Sequence, residues 1–248
     1  MWTNSELKQR AKNVLSRFGY WTPFFVTILT GLLMTDPGNM VSVISKNPEI
    51  ENVLYGNEEY ATFFTFAVPV LFLLSLLWNV FVGYPVQVGM NRFFMENRLS
   101  GSKVERIFRV FKSGNYLNVV KIMFLMNLKI FLWSLLLLIP GIIKSYQYFM
   151  IPYILSENPG IDSKRAFELS KEMTDNEKFD IFWLGFSFIG WILLGTLACG
   201  IGVLFVEPYI QATFAELYQV MREKAIGPGF RFAEPSELPG FSPEETLY

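Results

Sequence analysis

The most constraining stretch of the chain is residues 119–155, VVKIMFLMNLKIFLWSLLLLIPGIIKSYQYFMIPYIL, followed by Ser156. It reads as an apolar helix, a Pro-Gly break at Pro140–Gly141, and a second apolar helix running back. Water does not favour so much apolar surface on two adjacent helices. A bilayer does, because there every backbone donor and acceptor must find its partner within a helix. The rest of the chain repeats this arrangement on both sides of the hairpin, which predicts an all-α, polytopic membrane helical bundle.

Composition narrows the chemistry. Hydrophobic residues make up 52% of the chain and charged residues only 17%, far from an average soluble domain. Histidine is absent, which removes the commonest general base and the commonest metal ligand. The single cysteine, Cys199, allows no intramolecular disulfide. The chain is therefore expected to be no enzyme and to need no cofactor or metal. Its net charge of −1 speaks against a nucleic-acid partner.

In order, residues 3–18 place Leu7, Ala11, Val14, Leu15 and Phe18 on one helical face, with Thr3 and Glu6 at capping-box spacing. Lys8, Arg10, Lys12 and Arg17 fill the remainder, as in a helix lying on an anionic membrane surface. A short first span follows over 20–34. Residues 35–60 form an acidic loop carrying Asp36, Glu49, Glu51, Glu58 and Glu59. The second span lies within the uncharged run Ala61–Met90, with Pro69 and Pro85 as kinks. A basic segment, 91–121, contains a second amphipathic helix over 102–113, with Ser102 and Glu105 as a capping pair. The hairpin supplies spans three and four. A third amphipathic helix, capped by Asp162 or Ser163, precedes a fifth span near 179–199 and a sixth near 201–221. Residues 1–224 thus form one six-span domain, and 225–248, with four Pro and four acids, is expected to be a disordered tail.

Charge orients this layout. With the N-terminus cytoplasmic, the inner segments hold eighteen Lys and Arg and the outer loops hold one, Lys46. The positive-inside rule then places both termini in the cytoplasm. Each third of the chain also has the same order of amphipathic helix, outgoing span and returning span. The returning spans each carry a Pro-Tyr neighbour pair: Tyr84-Pro85, Pro152-Tyr153 and Pro208-Tyr209. Three helix-hairpin repeats would produce this pattern. So would the common features of any six-span bundle, with aromatics at its interfaces and proline kinks.

The segments IPGIIKSYQYFMIPYIL, FDIFWLGFSFIGWILL and GIGVLFVEPYIQATFAELY, with the opening KQRAKNVL, resemble a family catalogued as domain of unknown function 975. The resemblance covers nearly the whole chain. It implies a multi-pass protein of the bacterial cell membrane, and it implies no activity or catalytic residue.

Four charges fall within the expected spans: Lys129, Lys144, Glu207 and Glu216. Ionisable groups at bilayer depth are costly and face an interior or a cavity. Lys144 and Glu207 lie at similar depth below the outer turns and are expected to approach or share a polar pocket; the alternative is separate snorkelling to the interface. Lys129, nearer mid-span, needs a buried partner such as Glu216 or a backbone carbonyl. Gly195/Cys199 and Ala198/Gly202 have the spacing of close helix contacts. These features fit a transport-related protein: a permease, a channel, or an exporter accessory subunit. The helix at 162–175 reads first as a membrane-surface helix, with docking of an ATPase partner as the alternative. A noncatalytic scaffold or lipid-interacting regulator is the alternative, with the bilayer as the common partner.

Overall fold

The computed structural model describes residues 2–35, 58–197, 200–227 and 232–241, and no strand occurs among them. The expected acidic loop falls almost wholly outside these residues, as do Ala198 and Cys199. The elements in order are α1 (Asn4–Phe18), α2 (Trp21–Met34), α3 (Glu58–Trp78), a π-helical turn (Asn79–Gly83), α4 (Tyr84–Ser100), a 3-10 turn (Val104–Phe108) and α5 (Arg109–Lys112). Then come α6 (Tyr116–Leu136), α7 (Leu138–Gln147), α8 (Ile151–Glu157), α9 (Ser163–Met173), α10 (Lys178–Phe186), α11 (Ile189–Leu197) and α12 (Ile201–Ile226). Three stretches among the described residues are long and apolar enough to cross a bilayer: Phe66–Ser100, Tyr116–Leu136 and Lys178–Leu197.

Burial is distributed unevenly along the helices. Large apolar side chains stand exposed on α3, the second half of α6, the start of α7, α11 and the start of α12. The core gathers at the opposite end, around Phe93, Met123, Ile154, Leu169 and Tyr218. Each returning limb (α3–α4, α7–α8 and α12) thus runs from an apolar exterior into a packed interior.

Both described hairpins are closed by glycine. In the central one the chain breaks at Leu137, which is fully extended (φ −158°, ψ 137°), and not at Pro140–Gly141. Pro140 instead sits in the first turn of α7, where its missing N–H would have had no helical partner. Gly141 allows close contact: a Cβ there would lie 2.2 Å from the Ser134 hydroxyl and 2.7 Å from Ser134 Cα. In the third hairpin a Cβ on Gly202 would lie 2.6 Å from Gly195 Cα. Both contacts join residues seven apart across the turn.

The amphipathic helices differ from expectation in a consistent way. α1 is capped as predicted, with Thr3 Oγ1 accepting the Glu6 N–H at 3.2 Å. However, its buried face of Leu7, Ala11 and Leu15 packs along α12, not on a lipid surface. α9, capped by Asp162 through the N–H groups of Lys164 and Arg165, likewise buries Ala166, Leu169, Ser170 and Met173 within the bundle. The helix expected over 102–113 is a 3-10 turn followed by the short α5. The 3-10 turn has no side-chain cap: the Ser102 hydroxyl is directed to Glu96 and its N–H is taken by Asn97 Oδ1. The turn rests on α4 so closely that a Cβ on Gly89 would lie 1.9 Å from the Ile107 carbonyl oxygen.

The apolar stretch Lys178–Leu197 is interrupted at Ser187–Phe188, between α10 and α11. Lys8 donates to the released Ser187 carbonyl at 3.2 Å and lies over the Phe188 ring. The second returning limb breaks at 148–150, and its loosened Gln147 carbonyl accepts from Ser170 (2.9 Å) and Thr174 (3.3 Å) of the following unit. The tail departs from the expected disorder over 232–241. Ala233 and Leu238 are buried, and polar contacts described below tie the segment to the bundle.

Candidate functional site: a polar cavity above a buried ion network

The inner ends of the three returning limbs meet around charges. Glu96 of α4 accepts a hydrogen bond from Arg92 Nε at 2.8 Å, one helical turn away, and forms an ion pair with Arg106 of the 3-10 turn, whose Nη1 lies 2.6 Å away without a hydrogen bond. Arg92 Nη1 also donates to the Ser156 carbonyl of α8 at 2.8 Å, joining the first limb to the second. Arg98 of α4 forks onto Glu216 of α12, with bonds of 2.7 and 3.1 Å, joining the first to the third. Glu157, at the end of α8, accepts the Tyr218 hydroxyl at 2.7 Å and Arg222 Nε at 2.7 Å, joining the second to the third. The side chains of Glu157 and Glu216 are 0% and 3% exposed. Carboxylates so buried persist only when paired and hydrogen-bonded, and the bidentate Arg98–Glu216 geometry provides both.

Above this network lies a cavity of about 240 Å³ between the same limbs. Gln87 and Asn91 of α4, Ser145 of α7 and Gln211 of α12 supply its polar wall, and Met126 and Phe214 supply apolar surface. Tyr153 forms part of the floor and stacks on Tyr218 with ring centroids 5.3 Å apart. The cavity and the ion network are therefore separated by one pair of stacked rings. No charged side chain lines the cavity. Its polar groups are amides and hydroxyls, able both to donate and to accept.

The four charges singled out in the sequence are not brought together as ion pairs. Glu216 is held by Arg98, not by Lys129. The Lys129 ammonium instead sits 3.6 Å from the centroid of the Phe167 ring on α9, a cation–π contact. Lys144 donates to Gln147 Oε1 at 2.9 Å and faces the rings of Trp133 and Tyr148. Glu207 accepts from Gln211 Nε2 at 2.7 Å. Lys144 and Glu207 are thus each one residue or one hydrogen bond behind the cavity wall, without meeting. The network residues Arg92, Glu96, Arg98, Glu157 and Arg222 escaped sequence reasoning, because they sit at the ends of the apolar runs, where charges read as parts of polar connecting segments. The signal was there in Arg92 and Glu96, opposite charges one turn apart on either side of the apolar Phe93–Met95.

The segment 232–241 closes the network from outside. Gly240 N–H donates to Glu157 Oε1 at 2.6 Å, and Arg222 Nη2 donates to the Leu238 carbonyl at 2.8 Å. Arg165 of α9 forks onto Glu237 at 2.6 and 3.1 Å. The guanidinium beside it holds the Glu237 carboxyl below the usual carboxylate range. Among the described residues no group of three His, Cys, Asp or Glu is placed to hold a metal ion.

The described residues are helical and include three stretches long and apolar enough to cross a bilayer, which is compatible with a membrane protein. The chain belongs to the family described as protein of unknown function (DUF975), whose model matches residues 23–225. Neither a curated protein nor a solved structure matches it.

Proposed function

We propose that the protein is a six-span cell-membrane protein with both termini cytoplasmic, that it is not an enzyme, and that it acts in transport on an uncharged, hydrogen-bonding solute. The observation that carries this reading is the cavity. It lies where three limbs converge, and its wall offers amides and hydroxyls without a charge. A charged solute would lose its hydration there and find no charged side chain on the wall itself, whereas a neutral one exchanges water for Gln87, Asn91 and Gln211. The eighteen-to-one division of basic residues supports the orientation. The matching Ser134/Gly141 and Gly195/Gly202 closures support a repeated hairpin unit.

The test is flux in proteoliposomes. Glycerol and xylitol serve as neutral probes, lysine and glutamate as charged ones, and Gln87→Leu and Gln211→Leu as cavity variants. Faster entry of a neutral probe, lost in both variants, is expected. Equal entry with and without protein for both neutral probes would overturn the reading for that solute class. A second reading, a lipid-interacting regulator, draws on an apolar groove of about 580 Å³ between α3 and α6, with Lys121 among its lining residues. Tight co-purification of an anionic phospholipid, lost in Lys121→Gln, would favour it.

A further inference from the structure

The ten residues 232–241 touch a charged group of every returning limb. Gly240 bonds Glu157 of the second limb, the Leu238 carbonyl accepts from Arg222 of the third, and the Phe241 ring lies 5.9 Å from the Arg92 guanidinium of the first. α9 and its approach supply two more anchors. Arg165 binds Glu237 and, at 2.6 Å, the Phe232 carbonyl, while Asn158 Nδ2 donates to the Glu237 carbonyl at 3.1 Å. Against this polar set the segment fully buries two apolar side chains, Ala233 and Leu238, and rests Phe232 and Phe241 partly buried against the core. A ten-residue segment at the rim of a fold, tied down largely by charge-assisted hydrogen bonds, opens at a cost far below that of global unfolding.

We propose that residues 232–241 are a latch that keeps the inner ends of the three limbs together beneath the cavity, so that its release opens the cavity toward the cytoplasm. Docked, the latch supplies the third hydrogen bond to Glu157, whose carboxylate is otherwise held by Tyr218 and Arg222. Undocked, it leaves that buried carboxylate short of a donor, frees Arg222 from its second contact and removes Phe241 from Arg92. The weakened junction is the one lying directly below the Tyr153–Tyr218 stack. Glycine is required at 240, because its φ of +93° is strained for other residues and a Cβ there would lie 3.2 Å from Arg222 Nη2. The latch rests on the cavity being the working site, but its test needs no solute.

In a Cys199→Ser background, Ser145→Cys places a reporter thiol on the cavity wall. Its modification by a membrane-impermeant methanethiosulfonate is followed in inverted vesicles, and hydrogen exchange follows 232–241 in the purified protein. Gly240→Ala strains the latch backbone and crowds Arg222, whereas Glu237→Gln weakens its hold on Arg165 of α9 and leaves every limb side chain as it is. Both are expected to raise exchange across 232–241 and to speed thiol modification about tenfold, the size of one lost charge-assisted hydrogen bond. Faster exchange with an unchanged thiol rate would overturn the proposal and leave the segment a packed tail. Unchanged exchange in both variants would overturn it as well, by showing that these contacts do not hold the segment. Failure of solute flux alongside the expected thiol result would count against the transport reading and leave the latch standing.

Discussion

Ser134 and Gly141 meet across the central hairpin with no room for a methyl group between them: a Cβ on Gly141 would lie 2.2 Å from the Ser134 hydroxyl. Helix association within a bilayer depends on such close approach, since lipid chains are as apolar as the side chains that would replace them. Gly141→Ala is expected to destabilise the protein by about 1–3 kcal/mol, the usual range for overpacking. Gly202→Ala should do the same in the third hairpin. Gly190, with nothing within 4 Å of its added Cβ, serves as the control, and Gly190→Ala should leave thermal unfolding in mild detergent unchanged.

Arg98 and Glu216 tie the first limb to the third through a bidentate pair whose carboxylate is nearly sealed from solvent. Removing one partner of such a pair strands a buried charge, at a cost of about 3–5 kcal/mol. Arg98→Met should therefore be strongly destabilising. The double variant Arg98→Met with Glu216→Leu should be milder than the sum of its parts, a non-additivity that a double-mutant cycle in denaturant or heat reads directly.

Lys129→Met tests the other half of the same assignment. Its ammonium faces a ring and not a carboxylate, so the expected loss is only about 1 kcal/mol. A loss as large as that of Arg98→Met would show that Lys129 has an ionic partner.

Acid should loosen the segment 232–241. Arg165 beside Glu237 lowers that carboxyl's pKa in the folded state, with the Glu234 N–H adding a further hydrogen bond and Glu172 sharing Arg165. A lowered folded value means the contact stabilises docking fully above the ordinary glutamate value of about 4.3, and that this stability fades as pH falls through the folded value. Hydrogen exchange across 232–241, normalised for its intrinsic pH dependence, should rise on acidification toward that range. Glu237→Gln should start high and respond less.

The periodicity, the caps at Thr3 and Asp162 and the apolar runs made the helices legible, because these signals are local. Leu137 was not legible as the break: an extended leucine carries no turn signature, while Pro140-Gly141 carries one that the helix absorbs in its first turn. The amphipathic faces of α1 and α9 were read correctly as apolar, but their partner was misassigned. An apolar face matches a bundle as well as it matches a lipid surface, and only the three-dimensional course of α12 decides between them. The same limit hid the ion network. Arg98 and Glu216 are 118 residues apart, and a pairing at that separation leaves no mark in either neighbourhood.

The break in the second returning limb bears on how the molecule is assembled during synthesis. The Gln147 carbonyl, released where the helix yields at 148–150, has its acceptor role filled by Ser170 and Thr174. These residues emerge from the ribosome more than twenty positions later. Without α9 the returning helix of the central hairpin would carry an unpartnered carbonyl at Gln147, and in the folded chain α9 satisfies it. The hairpin's final shape therefore depends on a helix that follows it in the chain, so the two segments are stabilised together.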